Sequence, residues 1–214
     1  MASVTLVIGN KNYSSWSLRP WLAMKQAGLT FEEIRIPLYQ EGSAEEICKY
    51  SLAGKVPVLL HGSITVWDSL AICNYLAEQF PGLSWWPRKQ EARAIARSIS
   101  AEMHSGFMAL RQHMPMNIRA SLPGQGHLPE VMVDIERVKQ IWVSCREQFQ
   151  GDGAFLCGHF SIADAMYAPV VFRFLTYGVS LDQTCQAYVD SMLAIPALQD
   201  WIEAGKTETE VIEF

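Results

Sequence analysis

The chain lacks any apolar run near the roughly 20 residues that a membrane span requires. Its opening stretch, MASVTLVIGNKNYSS, does not combine the basic and apolar regions of a secretion signal. A cytoplasmic protein is expected. Cysteine is sparse and dispersed: Cys48, Cys73, Cys145, Cys157 and Cys185 form an odd set without CxxC spacing. That pattern argues against a disulfide framework, a zinc site and a dithiol redox centre. The thiols are expected to be reduced and mostly buried, with no metal bound. Positive charge is thin, with 17 Lys and Arg against 22 Asp and Glu, and it is scattered singly. Without a basic stripe, nucleic acid and anionic membrane surfaces are poor partners, and a small molecule is the better one. No internal repeat or low-complexity segment is visible.

What is present is enough apolar sequence, half of 214 residues, to build two modest domains. Residues 4–9 (VTLVIG) read as a strand, residues 10–15 as a polar loop, and Leu18, Trp21, Leu22 and Met24 as one face of a helix that Gly28 stops. Residues 31–38 place Ile34, Ile36 and Leu38 on one face of a second strand, parallel to the first. A short helix at 44–50 comes next. Residues 56–60 and 63–66 then form strands split by His61-Gly62, an antiparallel hairpin. A helix from 69 to 80 carries Leu70, Cys73, Leu76, Ala77 and Phe80. The expected division is a βαβ-ββα domain over 1–81, a Trp- and Pro-rich linker over 82–90, and an all-helical domain over 91–214. The latter has helices at 91–111, 129–148, 161–177 and 183–194.

Three segments, in order, carry a family resemblance. Ser14-Ser15-Trp16-Ser17-Leu18-Arg19 resembles the SSxSxR segment of the zeta-like, serine-type glutathione transferases. Lys55-Val56-Pro57-Val58-Leu59 is similar to the family's VP(x)L segment, which holds a cis-proline, and Asp68-Ser69 to its acidic-Ser pair. With Ser161-Ile162-Ala163-Asp164 in the helical half, the resemblance covers nearly the whole chain. It implies a thioredoxin-like first domain, a helical second domain, glutathione as co-substrate and a homodimer. Trp67, Tyr75 and Arg93 are candidate contributors to the dimer contact.

A free thiol with a pKa near 8.5 is only about 3% ionised at neutral pH, so glutathione chemistry needs a group that stabilises the thiolate. Lowering that pKa by roughly two units takes about 2.7 kcal/mol, within reach of one charge-assisted hydrogen bond plus a helix N-terminus. Ser14 stands at such a position; Ser15 and Tyr13 are its rivals. By residue type alone Ser14 is an ordinary N-cap, and the resemblance is what favours a catalytic hydroxyl. The resemblance likewise implies that Val56, ahead of Pro57, offers backbone groups to the cysteinyl unit of glutathione. Asp68 and Ser69 would hold its γ-glutamyl end, and Lys55 its glycyl carboxylate. Ser161-x-x-Asp164 reads as a structural capping box.

The electrophile is expected between the domains, against the 91–111 helix, where Met103, His104, Phe107, Leu110 and Arg111 fall at helical spacings. Glutathione transfer to a small electrophile is the leading reading. A glutathione-dependent cis-trans isomerase of the maleylacetoacetate type is the second, and a non-catalytic module of the same fold the third. One departure bears on the second: where zeta-like proteins carry an arginine after the capping box, this chain has Thr176, with Arg173 one turn earlier and Arg111 as another substitute. A cysteine-type thiol-disulfide oxidoreductase is disfavoured, because residues 13–17 contain no cysteine.

Overall fold

The computed structural model describes residues 3–213; the outer bounds of the two expected domains, at residues 1 and 214, lie outside these. Strand β1 (Val4–Ile8) is buried along its length because both sheet faces are covered. Val4, Leu6 and Ile8 join the main core, while Val7 faces a smaller cluster with Ile36, Ile47 and Val58. Helix α1 (Ser15–Gln26) ends at Gly28, whose φ of +74° suits a residue without Cβ. Strand β2 (Glu32–Arg35) runs parallel to β1. It is shorter than the Ile34-Ile36-Leu38 alternation implied. Ile36 still donates to Ile8 at 2.9 Å, and then Pro37 has no N–H to continue the ladder.

After α2 (Ser43–Cys48), strands β3 (Val58–His61) and β4 (Ile64–Trp67) complete a sheet of order β2-β1-β3-β4, with β3 antiparallel to both neighbours. The hairpin turn sits one residue later than expected. His61 pairs with Ile64, so Gly62 and Ser63 make the turn, with Gly62 at φ +59°. Helix α3 (Ser69–Gln79) closes this part, and the segment leading on is pinned by buried Trp85, which donates to the Phe80 carbonyl at 3.0 Å.

The rest is helical: α4 (Gln90–Ser105), α5 (Met108–His113), α6 (Pro129–Phe149), α7 (Ile162–Tyr177), α8 (Gln183–Leu193) and α9 (Pro196–Thr207). The single helix expected over 91–111 is two. Gly106 is extended and Phe107 takes a left-handed φ of +59°, which ends one helix and starts another. Helix α9 was not anticipated, although Pro196 occupies its start and Leu198, Trp201, Ile202 and Gly205 form its buried side. The main core runs from β1, α1 and α3 into α4, α6 and α7, so the sheet and the bundle share one apolar interior. The capping box forms as read, with Asp164 accepting from Ser161 N–H at 2.9 Å. Four of the five cysteines are buried and Cys48 is exposed. Among the described residues no helix is long and apolar enough to cross a membrane.

Candidate active site

A cleft of about 1170 Å³ opens between the sheet and the helical half. Its sheet-side wall is built from three chain turns that the β-strands place side by side: Ser14 to Trp16 after β1, Lys55 to Pro57 before β3, and Trp67 to Ser69 after β4. Ser14 is the N-cap of α1. Its Oγ accepts from Ser17 N–H at 3.4 Å and donates to Ser17 Oγ at 2.8 Å, while Ser17 Oγ accepts the N–H of Gly9 at 3.1 Å. Ser15 Oγ accepts from Arg173 Nη2 at 3.3 Å. Both serines are buried at the mouth of a helix N-terminus, where the field favours an anion. Tyr13 also reaches the cleft, but its hydroxyl accepts from Arg119 at 3.1 Å.

The Val56–Pro57 peptide is cis, Pro57 is buried, and Lys55 is exposed at the rim. Asp68, at a left-handed φ of +75°, caps α3 by accepting from the N–H groups of Leu70 and Ala71 at 3.0 and 3.1 Å. Its other oxygen lies 3.1 Å from His104 Nε2. Ser69 is 1% exposed, and its hydroxyl has no hydrogen-bond partner among the described residues. Buried hydroxyls are normally paired, so this one is an exception at the edge of the cleft.

The glutathione S-transferase N-terminal domain model matches residues 13–79, and the C-terminal domain model matches residues 93–204. The chain belongs to the glutathione S-transferase family. It is 24% identical over 213 residues to glutathione S-transferase Z2 of Arabidopsis thaliana, covering 93% of each chain. Glutathione S-transferase 1 of Dianthus caryophyllus is 40% identical over 105 residues, 49% of this chain and 48% of that one. A maleylacetoacetate isomerase of Rattus norvegicus is 36% identical over 100 residues, 45% of each. The last two matches thus span about half the length of those relatives. A crystal structure of a glutathione transferase homolog from Burkholderia gl BGR1 with bound glutathione superposes with a TM-score of 0.72 at 24% identity, covering 96% of this chain and 100% of that one.

Within this family fold, the helical wall of the cleft is cationic. Arg111 on α5 and Arg173 on α7 line it, and buried Arg19 lies behind Trp16. The Arg19 and Arg111 guanidinium carbons stand 4.2 and 4.7 Å from the Trp16 ring centroid, and His104 meets the same ring edge-on at 5.4 Å. Nε and Nη1 of Arg19 find no hydrogen-bond partner among the described residues. Burial, reinforced by Arg111, pulls the Arg173 guanidinium down to about 9. Arg19 is pushed down by burial and then by Arg111 and Arg173. His104 is lowered from 6.5 by burial, with Asp68 opposing and Arg19 and Arg111 adding to the fall. Three guanidinium groups crowded together give this wall a positive potential.

Three of the expectations for the electrophile side are corrected. Met103 is 2% exposed in the core, and its carbonyl accepts from Arg111. Phe107 is also in the core, at the junction of α4 and α5. The break at Gly106 destroys the common helical phase that placed residues 103, 107 and 111 on one face. Leu110 is core too, its N–H held by Asp134 at 2.9 Å. His104 and Arg111 do line the cleft, together with Ser14, Ser15, Lys55, Val56, Pro57, Asp68 and Ser69. Thr176 does not, because its hydroxyl bonds to the Asn117 carbonyl at 2.8 Å. The parts not anticipated are Trp16, Ser17 and the Arg173–Ser15 contact; the first two sit inside the serine-rich segment itself and were legible there.

Proposed function

We propose that the protein is a glutathione transferase in which a serine hydroxyl at the start of α1 holds the glutathione thiolate for attack on a small electrophile. The observation that carries this is one cleft facing two helix N-termini: Ser14 and Ser15 on α1, and Asp68 with the unpartnered Ser69 hydroxyl on α3. The first suits a thiolate. The second suits an amino acid end, with the carboxylate on Ser69 and the α3 N–H groups and the ammonium on Asp68. Val56 and Pro57 lie in the same cleft and would meet the peptide unit, and Lys55 at the rim would meet the glycyl carboxylate.

Each serine has a supporting partner. When a thiolate arrives, the Ser14–Ser17 pair can reverse: Ser17 donates to Ser14 while still accepting from Gly9, and the Ser14 proton turns to sulfur. Ser15 already accepts from Arg173, which polarises its own O–H. The thiolate then attacks the electrophile, forming the carbon–sulfur bond as the leaving group departs with its electron pair.

The cationic wall of Arg111 and Arg173 favours a second reading, a glutathione-dependent cis-trans isomerase for an unsaturated diacid, with the same thiolate adding and then leaving. Both readings are tested by the ultraviolet thiolate band that appears when glutathione is added at neutral pH. It is expected with the native protein and lost in Ser14→Ala, in Ser15→Ala, or in both, which assigns the hydroxyl. Absence of the band from the native protein leaves only a non-catalytic module of this fold. A homodimer belongs to the same proposal, with Trp67, 56% exposed, near the cleft; sedimentation checks it.

A further inference from the structure

We infer that Glu208, just beyond α9, is a positioning residue for the serines of the active site, holding the loop between β1 and α1 from the far end of the chain. This role rests on the glutathione reading above. The Glu208 carboxylate accepts the backbone N–H of Lys11 at 2.7 Å with one oxygen and that of Asn12 at 3.0 Å with the other. It is 9% exposed, and its carboxylate forms an ion pair with Arg35 at 3.5 Å. Two adjacent peptide N–H groups aimed at one carboxylate make a charge-assisted grip that fixes the orientation of both peptides.

The same end of the chain meets the loop at other points. Trp201 Nε1 on α9 donates to the Lys11 carbonyl at 2.9 Å. A Cβ on Gly205 would stand only 3.3 Å from Asn12 N, a tight contact that shows how closely α9 approaches the loop. Arg119 donates to the Glu208 carbonyl and to the Tyr13 hydroxyl, and its own N–H bonds Asn12 Oδ1 at 3.0 Å. Ser14 N–H then returns to the Asn10 carbonyl at 2.7 Å. The sheet side also holds this loop, through the Leu38 N–H on Asn10 Oδ1 at 2.7 Å, but the peptide N–H groups of Lys11 and Asn12 are held by Glu208. Hydrogen bonding to a thiolate is steep in distance and angle, so a loop displaced by an ångström loses it while the remainder of the glutathione site stays in place.

The test is the apparent pKa of the bound glutathione thiol, read from the thiolate band, in native protein, Glu208→Gln and Glu208→Asp. In Glu208→Gln the amide NH2 faces a peptide N–H that needs an acceptor. The thiol pKa is expected to rise by about one unit, which from a bound value about two units below 8.5 is a roughly threefold loss of thiolate at about pH 7. The calorimetric Kd for glutathione should change less than about threefold, because the Asp68–Ser69 contacts are untouched. Glu208→Asp keeps the charge and is expected to recover part of the shift. A residue of purely structural value would lower the melting temperature of both variants and leave the thiol pKa alone; that result, in folded Glu208→Gln, overturns the inference by itself. A native protein without the band overturns the glutathione reading and this one together. Should Glu208→Gln not fold, Glu208→Asp carries the pKa test, and hydrogen exchange on the native chain is the second measurement: Lys11 and Asn12 amides that exchange as freely as an open loop overturn the grip.

Discussion

His104 Nε2 on α4 lies 3.1 Å from the Asp68 oxygen that is left over after Asp68 has capped α3, so a residue of the helical half touches the acid proposed to hold the ligand's ammonium. The pair predicts a pH dependence for glutathione affinity. Burial, with Arg19 and Arg111, lowers the His104 pKa from 6.5 against the pull of Asp68. At neutral pH the imidazole is uncharged and donates to Asp68, which keeps its negative charge for the ammonium. Below the ordinary imidazole range His104 gains a proton and neutralises Asp68. The calorimetric Kd is expected to weaken about three- to tenfold as pH falls from 7.5 to 5. In His104→Gln, whose amide donates without titrating, only the pH dependence that comes from ionising the bound thiol should remain; a dependence equal to that of the native protein would place the second titrating group elsewhere.

The Arg173–Ser15 contact predicts an electrostatic contribution to the thiolate. Arg173→Gln retains a donor for Ser15 and for the Met114 carbonyl while removing the charge. The thiol pKa of bound glutathione is expected to rise by about one unit. If the electrophile is an anion, its KM rises as well, while that of a neutral aryl halide does not. Steady-state kinetics with the two substrate types separates these effects.

Local pattern made most of this architecture legible, and it failed where distant packing decides. Each segment of the sheet-side wall is contiguous, so the serines after β1, the Lys55 to Pro57 segment and Asp68-Ser69 could be picked out by type and order. The Arg173–Ser15 contact joins residues 158 apart, and the His104–Asp68 and Glu208–Lys11 contacts also cross between the halves. Such contacts depend on how helices are rotated about their axes, which periodicity does not fix to a single residue. The break at Gly106-Phe107 was hidden because the apolar spacing runs on through it and a lone glycine is tolerated within a helix. The hairpin slipped by one residue because His61-Gly62 and Gly62-Ser63 both satisfy a two-residue turn, and the pairing of His61 with Ile64 chose between them.

The junction between α4 and α5 predicts a local cost. A Cβ at Gly106 would stand 2.9 Å from the Glu102 carbonyl oxygen, a backbone atom that cannot swing aside. Gly106→Ala is expected to lose about 1–3 kcal/mol in urea unfolding. The KM for the electrophile should also shift, since α5 carries Arg111 into the cleft. Unchanged stability and KM would mean that the junction relaxes freely.

Asp164 supports the helical half rather than the chemistry, and its behaviour with pH separates the two roles. Its carboxylate is fully buried and accepts from Leu156 N–H at 3.0 Å, from Ser161 N–H and hydroxyl at 2.9 and 3.3 Å, and from Tyr188 at 3.3 Å. Removing it leaves those donors buried without a partner, so Asp164→Ala is expected to lose about 3–5 kcal/mol of stability. Burial outweighs the donors and lifts the carboxyl from 3.8 to about 6. The folded state therefore holds this proton where the unfolded chain has released it. The contribution of Asp164 is complete below about pH 4 and declines as pH rises through about 6, by about 3 kcal/mol in all. Asp164→Asn has no such titration. Its stability gap to the native protein in urea should narrow between pH 4 and pH 7, while the bound thiol pKa of the folded variant stays native. A gap that widens with pH would show that the donors hold Asp164 ionised and that its folded pKa lies below 3.8.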